Sequence, residues 1–186
     1  YAPAGFGAVA CRIFGKLRKV WGAEAFDVKI VLLATGDMDD FSKVVPYFRK
    51  AKTWKSLTPF FPVHHTKKKS DPSKNGLVVG SPAHDCWRLL ECVSPSADWL
   101  ENSAAASENS LPILDVSEQK TPYRIAHGLR STPCLHFQRF RRTGAGKRAS
   151  QHGFALQIRF TEKIALPIGL GYAAHFGLGL FVPIEE

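Results

Sequence analysis

An α+β fold built on an antiparallel sheet is what this sequence predicts, and three observations predict it. Phe154-Ala-Leu-Gln-Ile-Arg-Phe160 alternates, with Phe154, Leu156, Ile158 and Phe160 toward a core and Gln157 and Arg159 outward. Ser81-Pro82 offers an N-cap followed by proline at the first helical position, a strong helix start. Short apolar runs broken by Gly and Pro recur along the chain, in the order strand, short helix, strand, helix, strand, strand, strand. That order is compatible with a ferredoxin-like layer: an antiparallel sheet with packed helices, closed here by a C-terminal glycine-rich loop.

Taken from the start, residues 1–24 mix small residues with Arg12, Lys16, Arg18 and Lys19 and read as a strand followed by a basic turn. Phe26 to Ala34 is rich in strand formers and is stopped by Thr35-Gly36-Asp37. Asp39 to Arg49 reads as a short helix, capped by Asp37 or Asp39 and limited by Pro46. Trp54 to His65 is extended, and its two prolines keep it at a sheet edge. Thr66 to Gly76 is a lysine-rich loop. The Ser81 helix runs to about Cys92 and buries Trp87, Leu90 and Cys86.

Ser103 to Ser110 is linker, and Leu111 to Val116 a short strand. Thr121 to Cys134 is irregular, and Leu135 to Arg142 alternates as a strand. Thr143 to Gln151 forms a turn rich in Gly, Lys and Arg. Ile164 to Ile168 leads into Gly169-Leu-Gly-Tyr-Ala-Ala-His-Phe-Gly-Leu-Gly-Leu-Phe181. Gly169, Gly171, Gly177 and Gly179 each need a reason, because glycine loses the most backbone entropy on folding. Two readings fit: N–H groups turned toward an anion, or tight backbone packing at the ends of a hairpin.

The chain has 186 residues, 45% of them hydrophobic, which suits one domain with a real core. Its formal net charge of +9 points to a polyanionic partner, nucleic acid before acidic membrane. The charge is segregated. Arg49 to Lys69 holds seven basic residues and no acid, while Asp85 to Glu118 holds seven acids against Arg88. Cys11, Cys86, Cys92 and Cys134 show no Cys-x-x-Cys spacing, so neither a zinc site nor a disulfide scaffold is expected. Reduced thiols fit the cytoplasm. No apolar run approaches the length of about 18 residues that a membrane-spanning helix requires. No acidic pair or His/Asp cluster suggests a catalytic metal, and no phosphate loop appears; no cofactor is expected.

Several stretches resemble one family. They are Trp54-Lys-Ser-Leu-Thr-Pro-Phe60 with His64-His65, Leu135-His-Phe-Gln-Arg-Phe-Arg-Arg142, Gly153 to Phe160, and Ile168 to Phe181. Together they are similar to CRISPR-associated RNA-processing proteins of the RAMP superfamily. The nearest form is the C-terminal half of the fused handle-binding and endoribonuclease protein of type I-G (I-U) systems. Residues 66–134 carry no such resemblance. The resemblance implies an RRM-type ferredoxin-like architecture, with residues 1–50 as a lead-in and 51–186 as the endoribonuclease-like part of one RAMP domain. It also implies binding of CRISPR repeat RNA, partnership with other effector-complex subunits, and metal-independent cleavage of precursor crRNA. In that reaction a ribose 2′-OH attacks the adjacent phosphate and leaves a 2′,3′-cyclic phosphate. The glycine-rich loop of such proteins lines the RNA path.

Such cleavage needs a general base, a general acid and stabilisation of the phosphorane. Histidine suits the first two roles. The candidates are His65, His175, His64 and His136. In the family the catalytic histidine belongs to an early segment of the nuclease fold; that segment does not align here, so no histidine inherits the role from the resemblance. Arg139, Arg141, Arg142, Lys147 and Arg148, with Lys67 and Lys68, are the phosphate-binding candidates. Gly169, Gly171, Gly177 and Gly179 belong to the RNA-lining loop, with Tyr172 as a stacking candidate. The main alternative is a binding module with no catalysis that caps the crRNA. A basic ribonucleoprotein component of another kind is the third.

Overall fold

The structure, a computed structural model, describes residues 5–21, 27–64, 75–93, 111–119, 124–127, 130–137, 152–165 and 169–184. The chain forms two compact units, Tyr1–Val44 and Val45–Glu186.

The first unit holds α1 (Ala8–Lys16), β1 (Lys19–Trp21), β2 (Asp27–Lys29) and α2 (Met38–Ser42). A helix stands where the sequence predicts a strand, because Ala8 and Ala10 favour helix and the Phe6 and Phe14 rings meet edge to face at 5.0 Å. The strand expected over 26–34 pairs only through Lys29, in register Lys19↔Lys29, Val20↔Val28 and Trp21↔Asp27. Beyond it Val31, Leu32 and Leu33 are exposed. Asp37 caps α2 as expected, and its N–H donates to Asp40 Oδ2 at 3.0 Å.

The second unit contains β3 (Ala51–Ser56), α3 (Pro82–Glu91), β4 (Ile113–Glu118), β5 (Arg124–His127), β6 (Arg130–Pro133), β7 (Leu156–Ile164) and β8 (Phe181–Pro183). Short 3-10 turns cover Pro46–Phe48, Cys134–Phe137 and Ala174–Phe176. Four strands form one antiparallel sheet in the order β4-β7-β3-β8. β3 and β4 therefore run parallel, with β7 between them and α3 in the connection, packed on β4. The arrangement is α+β and compatible with a ferredoxin-like one.

The expected alternation in β7 is present: Leu156, Ile158 and Phe160 are buried while Arg159 is exposed. Paired residues of neighbouring strands share a face, so Trp54, Ile158 and Val116 form one buried row. Ser56 lies on that face without cost, since its hydroxyl bonds both the N–H and the C=O of Leu156. Lys55, Gln157 and Arg159 occupy the other face, where Arg159 reaches Asp115 at 3.3 Å.

Several expectations need correcting. Arg124–His127 and Arg130–Pro133 pair as a hairpin in the stretch read as irregular. Cys134–Phe137 is a 3-10 turn rather than a strand: the alternation there is short, and it follows Pro133, which offers no N–H to a ladder. Trp87 is only half-buried, because its indole N–H turns to Glu91 at 2.8 Å along the helix surface. Asp85 takes the core-facing position instead, with Cys86 and Leu90.

Candidate functional site

The chain leaving β3 runs between two partners. On one side Phe60 bridges Phe154 through both backbone bonds, 2.9 and 2.8 Å. On the other side it is stitched to the glycine segment. Leu57 N–H donates to Leu180 O at 2.7 Å, Gly179 N–H to Pro59 O at 2.8 Å, and Tyr172 N–H to Phe61 O at 2.8 Å. Thr58 adds two more bonds: its hydroxyl donates to Gly177 O at 2.8 Å and accepts the N–H of Leu180 at 2.9 Å. Two further residues, Pro62 and Val63, bring this anchored segment to His64.

α3 supplies the partner of His64. Ser81 caps the helix, accepting the N–H of His84 at 3.1 Å, and Pro82 fills the first position. Asp85 follows in the first turn, where the helix dipole favours negative charge. It is buried, with 1% of its surface exposed. A buried carboxylate needs donors, and Asp85 has three. Oδ2 accepts the N–H of Val63 at 2.6 Å and of His64 at 3.3 Å, while Oδ1 meets His64 Nδ1 at 2.5 Å.

A carboxylate only accepts, so Nδ1 carries a proton, and in the neutral imidazole Nε2 presents its lone pair. The imidazole is 52% exposed, so Nε2 has access to solvent or substrate. A buried carboxylate that orients an exposed histidine makes up two of the three members of a catalytic triad, and it suits general base chemistry. The sequence singled out His64 but missed Asp85. The signal was weak: an acid in a capped helix's first turn, on the same side as Cys86 and Leu90.

Asp85 also acts on its neighbour. Burial, and secondarily the Asp85 charge, push the Cys86 thiol far above its ordinary range. Burial also raises Cys134, whereas Cys11 and Cys92 are exposed. Native protein treated with a thiol reagent at mildly alkaline pH is therefore expected to react at Cys11 and Cys92. Cys86 and Cys134 react only on denaturation. Prompt labelling of Cys86 would show that α3 does not bury Asp85.

The glycine segment is packed tightly. A Cβ on Gly179 would lie 1.8 Å from Leu170 O, and one on Gly171 2.6 Å from Phe61 O; both residues have positive φ. The N–H groups of Leu170, Tyr172, Ala174, Phe176, Gly177, Leu178, Gly179 and Leu180 all donate within the protein. The packing reading thus describes Gly171 and Gly179. Gly177 closes the 3-10 turn in the left-handed conformation, with open space where a Cβ would sit, and Gly169 bridges Leu180. The turn exposes Tyr172, His175 and Phe176, and the rings of His175 and Phe176 lie 4.1 Å apart, tilted by 44°.

The Phe61–Tyr172 bond therefore joins the segment carrying His64 to the loop carrying His175. His136 is exposed on the separate turn Cys134–Phe137, and His84 is structural, its Nδ1 accepting the N–H of Gly80 at 3.2 Å. His65, Lys67, Lys68, Arg139, Arg141, Arg142, Lys147 and Arg148 lie outside the described residues. Among the described residues no group of three or more His, Cys, Asp or Glu side chains is placed to hold a metal ion, and no helix is long and apolar enough to cross a membrane. The chain matches no protein-family model, no curated protein sequence and no solved structure.

Proposed function

We propose that this chain is a RAMP-type, ferredoxin-like RNA-processing protein that binds CRISPR repeat RNA, cleaves precursor crRNA and remains as a cytoplasmic subunit of a type I effector complex. The observation that carries the catalytic part is the His64–Asp85 pair. His64 follows the first strand of the four-stranded sheet. The sheet order β4-β7-β3-β8 and the net charge of +9 support the architecture and the polyanionic substrate.

In this reading His64 Nε2 takes the proton from the ribose 2′-OH. The freed oxygen bonds to phosphorus, the P–O5′ bond breaks, and the departing 5′-oxygen receives a proton. The products are a 2′,3′-cyclic phosphate and a 5′-hydroxyl. His175, exposed on the loop bonded to Phe61, is the acid candidate.

The test is incubation with the protein's own CRISPR repeat RNA in excess EDTA, followed by analysis of the product ends. Site-specific cutting that leaves a 2′,3′-cyclic phosphate is expected. The inward-turned amides of the glycine segment favour a second reading, a crRNA-capping subunit without catalysis, because they leave few donors there for a phosphorane. Tight binding without cutting would select it, and a lack of binding would reject both.

A further inference from the structure

We infer that the apex of the glycine segment, Tyr172 and Phe176 with His175 between them, is a stacking platform for unpaired nucleobases. The inference rests on the RNA-binding part of the reading above and not on its cleavage step.

Phe176 is 75% exposed and Tyr172 43%, and His175 between them is exposed as well. Ala173 is buried in a left-handed conformation (φ 65°), and Leu170 and Gly179 are buried beneath. The turn is pinned at Phe61 O through Tyr172 and at Thr58 through Gly177 and Leu180. Rings presented on a backbone already fixed lose little freedom when a ligand arrives. Because the amides of Tyr172, Ala174, Phe176, Gly177 and Leu178 donate within the protein, the surface this turn offers is chiefly its aromatic side chains rather than a backbone cradle.

Charge selects the occupant. A chain of net charge +9 favours a polyanion, and the polyanion that also carries flat π-faces is a nucleic acid strand with its bases exposed. Lys55 supplies an exposed cation on β3 opposite Val182, two residues before Leu57, whose N–H is bonded to Leu180 O. The described residues Lys55, Gln157 and Arg159 of the other sheet face are polar or charged and offer no ring to the bases.

His64 lies three residues beyond Phe61, whose C=O is bonded to Tyr172, so even a fully extended chain keeps the His64 backbone within about 15 Å of that of Tyr172. A strand stacked on the platform by one base can therefore continue past His64 within a few nucleotides. Substrate recognition at this site is then for an unpaired nucleotide and tolerant of which base it is.

The experiment is fluorescence anisotropy with three labelled probes: a twelve-nucleotide single-stranded RNA, the same backbone made abasic, and an RNA duplex. The wild type is expected to bind the single strand at least tenfold more tightly than either other probe. Phe176→Ala and Tyr172→Ala each weaken it by about 5- to 100-fold, the range for losing one base–aromatic stack. The slope of log K against log salt stays unchanged, because no phosphate contact is lost. Phe176→Trp restores binding. Equal affinity for the abasic strand, or variants that bind as the wild type does, would overturn the platform and leave a protein partner as the occupant. Wild type that cuts repeat RNA while Phe176→Ala binds normally removes the platform alone. Binding that needs Phe176 without any cutting removes the cleavage reading alone.

Discussion

Replacing His64 by alanine is expected to lower the proposed RNA cleavage by about 10²- to 10⁴-fold, the usual contribution of a positioned general base. The side chain is half exposed, so the fold is unaffected and thermal unfolding is the control. Asp85→Asn separates orientation from mere presence. The amide oxygen still accepts the N–H groups of Val63 and His64, but the amide nitrogen then faces Nδ1 as a donor. That selects the tautomer with the proton on Nε2, where it is useless as a base. A loss approaching that of His64→Ala, with RNA affinity retained, is the expected result. Full activity of His64→Ala would remove His64 from the chemistry, and full activity of Asp85→Asn would remove Asp85 as its orienting partner.

Gly179→Ala produces the largest loss of stability expected here. The added Cβ would stand 1.8 Å from Leu170 O, a backbone atom that cannot swing aside, at a φ of +63°. The left-handed conformation alone costs about 1–2 kcal/mol for an L-residue. Relieving the clash must open the bond from Leu170 N–H to Gly179 O as well. A total of about 3 kcal/mol or more corresponds to a fall in Tm on the order of 10 °C for a chain of this size. Gly177→Ala is the comparison: its φ is +81°, but a Cβ there meets nothing within 4 Å, so only the backbone term of about 1–2 kcal/mol applies. Equal effects of the two substitutions, read by thermal unfolding, would mean that the segment does not pack as described.

The same two residues show what can be read from the sequence. Gly179 and Gly171 were visible as glycines in need of a reason, yet only the position of Leu170 O and Phe61 O decides which reason. β7 was legible because it carries its own period, with one face buried along its length. The start of α3 was legible because Ser81 and Pro82 act within one turn. α1 was not: Val9 and Ile13 stand one turn apart but stay exposed, and nine residues are too few to fix a helical period. The pairing of His64 with Asp85 was illegible for another reason. The residues are 21 apart on different elements, and nothing local links a loop histidine to an acid in a helix's first turn.

The hydrogen bonds that hold the loop join residues 119 and 122 apart in sequence, and the central sheet bonds through Ser56 span 100. Contacts so distant must bear the entropy of closing a long chain before they contribute anything, which makes folding of this unit slow. β3 waits for β7 and β8, both encoded far downstream, before either of its edges is covered. During synthesis, Trp54, Phe60 and Phe61 emerge long before their partners and stay open to chaperones or to aggregation. The aromatic turn is bonded to Thr58 across 119 and 122 residues, so a growing chain cannot present it until the segment up to β8 has been made.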